Sequence, residues 1–374
     1  MKVLRFGRAA AVISVAALAL TACGTDSATD EPAATTGDNG AAESTVTGTL
    51  TGAGASSQGA AMTAWQSGFT AANPDATLQY SPDGSGAGRE AFLAGGVQFA
   101  GSDAYLDEEE HAAAVEVCGP EGAFNIPAYI APIAVAFNLP GIDEVNMDAE
   151  TIASVFRGDI ANWNDEAIAS QNEGVELPDL AITVVHRSDE SGTTENFVDY
   201  LSQAAPEVWT DEVSGDWPAE IVAENAQGTN GVVSTTSGTE GAITYTDASA
   251  VGDLGQVLVK VGEENVALTP EAASLAVEVA EPAEVEGAPE VDMSYNLTRD
   301  TTESGAYPIV LISYHVYCAT YEDQETVDLV KAFASYAISE EGQADAADSA
   351  GNAPISETLR EQAQTAIDSI TVAS

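Results

Sequence analysis

The chain has 374 residues, 45% of them hydrophobic, and sets 10 Lys and Arg against 60 Asp and Glu, a formal net charge of −50 at pH 7. So acidic a chain lacks the basic footprint that nucleic acids require, which excludes them as default partners. It also excludes steering of an anionic ligand by net charge, so any anion site here must work at short range through local dipoles and donors.

Lys2, Arg5 and Arg8 form a basic head, followed by an apolar run from Ala9 to Leu20 and then Leu20-Thr21-Ala22-Cys23. A dozen apolar residues fall short of the ~20 that a spanning helix needs, so residues 1–22 read as an export signal. The small residues before Cys23 resemble the bacterial lipobox. That resemblance implies cleavage before Cys23, attachment of a palmitate-bearing diacylglycerol to its thiol, and residence on the outer face of the cell membrane. Residues 23–45 are small, polar and acidic, without aromatics. Such a stretch buries too little apolar surface to offset its ordering entropy and is expected to be a disordered tether. The body from Val46 onward is long enough for two lobes.

The body alternates strand, small-residue turn and helix. Val46–Ala53 reads as a strand, broken at Gly54-Ala55-Ser56-Ser57; Met62, Trp65 and Phe69 then fall on one helical face, ended by Asn73-Pro74. Leu78–Tyr80, the turn Ser81–Gly86, a helix from Arg89 to Leu93, and the strand Val97–Gly101 ending at Ser102-Asp103 repeat the rhythm. This is the βαβ signature of a parallel sheet, where ligands sit beyond strand ends beside helix N-termini. The apolar run Ile126–Leu139 is expected to carry the chain into a second lobe. There Ala149–Phe156 reads as a helix, Leu180–Val185 as a buried strand, and Thr194–Leu201 as another helix. Glu271–Glu290, rich in Ala, Glu and Pro, reads as an exposed acidic excursion. Tyr307–Val316 carries the chain back, and Thr326–Ile338 is a late amphipathic helix. The expected fold class is therefore α/β with two lobes, 46–126 plus 310–374 and 127–309, joined by two crossings. Cys118 and Cys318 are either one disulfide, as an oxidising exterior favours, or two buried thiols.

Three strand-to-helix turns share one design: Ala55-Ser56-Ser57, Gly84-Ser85-Gly86 and Ser191-Gly192-Thr193. Each alone also reads as ordinary N-capping. Together they offer unpaired N–H groups, helix dipoles and hydroxyls, a donor-rich cage for a tetrahedral oxyanion. Arg187, just before the third turn, has the planar fork that suits such oxygens, and Asp189 is placed to orient it. Asp103 at a strand end is informative because an ionised carboxylate only accepts hydrogen bonds. A ligand facing it must bring a proton, which separates hydrogen phosphate from sulfate.

These pieces resemble the periplasmic phosphate-binding protein (PstS) family of the ABC phosphate importer. The resemblance is carried by Gly52–Ser56, Asp83–Gly86, Gly101–Asp103 and Arg187–Thr193 and, outside the site, by Val155–Asp165, Gly228–Val232, Gly241–Tyr245 and Gly351–Ile355. It implies a type II periplasmic-binding-protein fold in a monomer. It also implies that inorganic phosphate is bound by Ser56, the Ser57 backbone, Ser85, Asp103, Arg187, Ser191, Gly192 and Thr193, and is delivered to the importer's permease subunits. No cofactor, metal or catalytic residue is expected. Position 57 is Ser where some relatives carry Phe, and position 86 is Gly where some have Ser.

A phosphate-ester hydrolase is the main rival, but it needs a nucleophile with a base or a metal cluster. The three histidines, His111, His186 and His315, show no ligand spacing, and no Gly-x-Ser-x-Gly elbow is present. A binder of another oxyanion is the second rival, opposed by Asp103.

Overall fold

The computed structural model describes residues 46–277 and 280–373. The expected signal 1–22, the tether 23–45 and Cys23 lie outside the described residues.

The first strand β1 (Gly48–Gly54) leads through a short 3-10 turn at Ser56–Gln58 into α1 (Gly59–Ala72), and β2 (Ala76–Ser81) returns parallel to β1. Helix α2 (Ser85–Leu93) and strand β3 (Phe99–Ser102), parallel to β1, repeat the unit. Trp65 and Phe69 of α1 are fully buried, as the helical spacing predicts. Helix α3 (Glu108–Cys118) starts on an Asp107–Glu110 capping box.

Strand β4 (Ala123–Phe137) follows, fifteen residues long and buried throughout. Beyond it lie β5 (Glu144–Met147), α4 (Ala149–Arg157), α5 (Glu166–Ala169), β6 (Thr183–Arg187), α6 (Gly192–Ala204), β7 (Glu224–Ala226), α7 (Gly228–Ser237), β8 (Ala242–Asp247), β9 (Gly255–Val261) and β10 (Glu264–Val266). After α8 (Pro270–Val277) and the short pair β11 (Glu281–Pro282) and β12 (Tyr295–Asn296), strand β13 (Val310–Cys318) runs back antiparallel to β4. A later helix, α9 (Gln324–Ile338), covers the first half.

The main sheet has the order β2-β1-β3-β13-β4-β8-β6-β7. Its first part is built from the N-terminal βαβ units. Its second part gathers β8, β6 and β7, with β9 also pairing to β4. β4 belongs to both, pairing with β13 along its first stretch and with β8 and β9 along its end. This two-lobed α/β fold joined through paired crossing strands is the class expected, and the expected divisions fall inside β4 and at the head of β13. Register slips between Ser313 and Tyr314, which face Tyr129 and Pro127 and leave Ala128 as an extra residue. Such a bulge re-aims neighbouring side chains.

Three readings are corrected. Glu271–Val277 is not an exposed excursion: it forms most of α8, whose Ala272, Ala273 and Ala276 are buried against β4 and β13. The strand read as Leu180–Val185 runs Thr183–Arg187, and of these only Val185 and Arg187 are buried. The helix read from Arg89 starts at Ser85, which makes Ser85 part of its first turn. Cys118 and Cys318 form a disulfide that joins the end of α3 to the end of β13.

Candidate functional site

All three small-residue turns meet at Asp103. Its carboxylate is 2% exposed. Ser57 Oγ donates to Oδ2 at 2.6 Å, and Thr193 Oγ1 donates to the same oxygen at 3.1 Å. From the second turn, Ser85 Oγ accepts from the Asp103 backbone N–H at 3.2 Å. Gly192 packs so closely that a Cβ there would lie 2.7 Å from the Asp103 Cβ, so only glycine lets α6 approach.

Arg187 is 3% exposed at the end of β6. Its Nε donates to Asp189 Oδ1 at 2.8 Å, and Nη2 donates to Oδ2, the bidentate grip expected of this pair. Asp189 Oδ1 also accepts from Gly228 N at 2.9 Å. Next in the chain, Thr229 N donates to Ser56 Oγ at 3.0 Å, and the two hydroxyls lie 3.0 Å apart. A continuous chain of contacts thus runs from Arg187 through Asp189, Gly228 and Thr229 to Ser56. Ser191 caps α6 by accepting from Thr194 N at 3.2 Å. Behind the turn, Tyr245 accepts from Arg187 N at 3.2 Å and stacks on Phe197 and Trp217.

The expected anion ligands thus fall in two hydrogen-bonded groups, Ser57, Ser85 and Thr193 about Asp103 and Ser56 linked to Arg187, with Ser191 and Gly192 beside Thr193 at the start of α6. Ser57, expected to serve through its backbone, also places its hydroxyl on Asp103 as a direct partner. Sequence reasoning missed Ser313, whose hydroxyl donates to Asp103 Oδ1 at 2.7 Å and accepts from Gln58 Nε2 at 2.8 Å. Its only signal was a small polar residue within an apolar crossing strand. Thr229 was also missed, although its segment already carried the family likeness.

Burial pushes the Asp103 pKa upward, opposed by hydrogen bonds from Ser57, Ser313 and Thr193 and by the charge of Arg187. Burial pushes Asp189 the same way, but its bonds to Arg187 and that residue's charge outweigh it and leave the pKa below the usual carboxylate value. Asp247, at the end of β8, is buried with Oδ2 unpartnered, and burial lifts it to about 7. A cavity of about 310 Å³ adjoins Asp103 and is walled also by Tyr105, Glu195, Asn196 and Arg299; of the expected anion ligands Asp103 alone lines it.

The histidines stand apart from these hydroxyls. His315 packs against Trp65, Phe99 and Phe333, and burial lowers its pKa to about 3. His186 stacks on Trp217. Among the described residues no group of three His, Cys, Asp or Glu is placed to hold a metal ion.

Two lobes sharing a long strand pair, with helix-starting turns from both gathered on a buried polar cluster, define a solute-binding protein, and the pattern of the PBP superfamily domain matches residues 39–341. Among curated relatives, the phosphate-binding protein PstS 3 of Mycobacterium tuberculosis is 35% identical over 381 residues, covering 99% of this chain and 100% of its own. PstS 2 of the same organism is 33% identical over 387 residues, covering 99% and 100%. The chain belongs to this family of phosphate-binding proteins. Its fold matches a high affinity periplasmic phosphate-binding protein bound with phosphate, with a TM-score of 0.68 at 22% identity over 85% of this chain and 93% of that one. It also matches a candidate phosphate ABC transporter substrate-binding protein with bound phosphate from Clostridium perfringens, with a TM-score of 0.58 at 21% identity over 83% and 100%.

Proposed function

We propose that this chain captures inorganic phosphate outside the cytoplasm and hands it, unreacted, to the membrane subunits of an ABC importer. The observation that carries the reading is the occupancy of the Asp103 carboxylate. An ionised carboxylate offers about four acceptor positions. Ser57 and Thr193 use Oδ2 and Ser313 uses one side of Oδ1, leaving one acceptor for a ligand O–H. Hydrogen phosphate brings that proton and sulfate does not. Arg187 neutralises charge, while the starts of α2 and α6, the Ser56, Ser85 and Ser191 hydroxyls and the Ser57 and Thr193 backbone N–H groups supply neutral donors, the Ser57 and Thr193 hydroxyl protons being spent on Asp103.

Ligands of this site come from both lobes, so the cage is complete only when the lobes meet. Phosphate therefore favours the closed arrangement by its differential contacts with it. The lobes are taken to divide within β4 and at the head of β13. Anchoring through a lipid on Cys23 follows from the lipobox-like sequence; no helix among the described residues is long and apolar enough to cross a membrane. The absence of chemistry is inferred from the binding-protein names of the relatives and from His186 and His315 packed against aromatic rings. Calorimetry with phosphate, and a phosphatase assay with and without added metals, test the two halves of the reading: one-to-one binding without turnover supports it, and turnover refutes it.

A further inference from the structure

Arg89 and Glu190 are used by none of the roles above. Arg89, in α2, is 7% exposed. Two of its nitrogens are fixed from its own side: Nε donates to Glu110 at 2.7 Å and Nη1 to Ser102 Oγ at 2.9 Å. The third, Nη2, reaches across to Glu190 Oε1 at 2.9 Å. Burial alone would lower the guanidinium pKa, but the Glu110 and Glu190 charges outweigh it and hold it above its ordinary value.

Glu190 sits in the turn between Asp189 and Ser191 and enters a slot that two glycines leave open. A Cβ on Gly86 would fall 1.0 Å from Glu190 Oε2, and one on Gly215 would fall 2.7 Å from Oε1. Gly84 contributes on the same side, where a Cβ would lie 3.0 Å from Glu190 O. The carboxylate thus occupies, at the first turn of α2, the space that a side chain at position 86 would fill. Ser102 adjoins Asp103 and Glu190 adjoins Ser191, so the ion pair ties the two jaws one residue from the anion cluster on each side.

We propose that Glu190 is a positioning residue that bolts the Arg187–Thr193 turn to α2 in the closed protein and thereby sets how fast the bound anion leaves. This rests on the anion-binding reading of the same site. The bolt touches no ligand position and forms only after the jaws meet, so its loss acts on dissociation rather than encounter. Its side chain is 34% exposed, so solvent screens the pair and the effect is modest.

The test is phosphate dissociation by stopped flow, with calorimetry for affinity, on folded wild type, Glu190→Ala, Glu190→Gln, Gly86→Ala and Gly86→Ala/Glu190→Ala. Gly86 lies in α2 without a left-handed φ, and the three atoms nearest an alanine Cβ there all belong to Glu190. Glu190→Ala is expected to raise the off-rate about two- to fivefold with little change in the on-rate, and Glu190→Gln less. Gly86→Ala, by expelling the carboxylate, should match Glu190→Ala, and the double variant should be no worse than either. An unchanged off-rate in Glu190→Ala, or additive effects in the double variant, overturns the bolt while leaving phosphate binding intact. Wild type that binds no phosphate overturns the functional reading instead. In that case X-ray scattering of ligand-free protein still decides on the bolt: a more expanded Glu190→Ala supports it, and an identical profile refutes it.

Discussion

Thr193 and Asp103 lie 90 residues apart in sequence, yet the Thr193 hydroxyl donates to the same Asp103 oxygen as Ser57, at 3.1 Å. Two distant segments thus aim the remaining acceptor of one buried carboxylate, and both hydroxyls must be in place to do so.

Asp103→Asn replaces one acceptor oxygen by a donor where the proposed phosphate O–H would bind. A charge-assisted hydrogen bond contributes about 1.5–3 kcal/mol, so phosphate affinity should fall roughly ten- to hundredfold while sulfate gains. Competition calorimetry reads both changes. Unaltered preference for phosphate in a folded variant would remove Asp103 from the selectivity argument.

Ser313→Ala leaves Asp103 Oδ1 without its protein donor and frees Gln58 Nε2, which keeps only the Tyr314 carbonyl at 3.0 Å. Losing a donor to the ionised form moves the Asp103 pKa further up. Phosphate binding in the variant should therefore fail at a higher pH than in wild type as the pH is lowered. Affinity measured from pH 8 to pH 5 tests this, and superimposable profiles would contradict it.

Arg187→Lys keeps the charge but loses the planar fork that grips Asp189. Phosphate affinity should drop at least about tenfold with the fold retained. Arg187→Ala, which leaves the partly buried Asp189 carboxylate with the Gly228 N–H alone, should also cost about 1–3 kcal/mol of stability in urea titration.

Burial lifts the Asp247 pKa to about 7, well above the ordinary carboxylate value, so the folded protein holds this proton more tightly than the unfolded chain. Its contribution is complete below about pH 4 and is lost as pH rises through 7. Asp247→Asn should match wild type near pH 4 and exceed it at pH 8, by up to about 4 kcal/mol. Equal stability of the two proteins at pH 8 would show that Asp247 titrates normally.

Much of this site was legible because its donors are local. The Ser-Gly turns, Arg187 beside Asp189, and Asp103 at a strand end all announce themselves within a few residues. What stayed hidden needed pairing between distant segments. Ser313 reaches Asp103 only because of the bulge opposite Ala128, and Glu190 finds its slot only because Gly86, 104 positions earlier, lacks a side chain. In 271–277, acidic and Ala-rich composition suggested solvent exposure. Yet Ala272, Ala273 and Ala276 share one helical face, and small side chains let that face lie against the crossing strands.

Titration calorimetry of the wild-type body with phosphate and with sulfate at pH 7 tests the central claim most directly. The expected result is a single phosphate site and no measurable sulfate binding under the same conditions. Comparable binding of both anions would contradict it, because a buried acceptor between two oxyanion-binding lobes could not then be what distinguishes them.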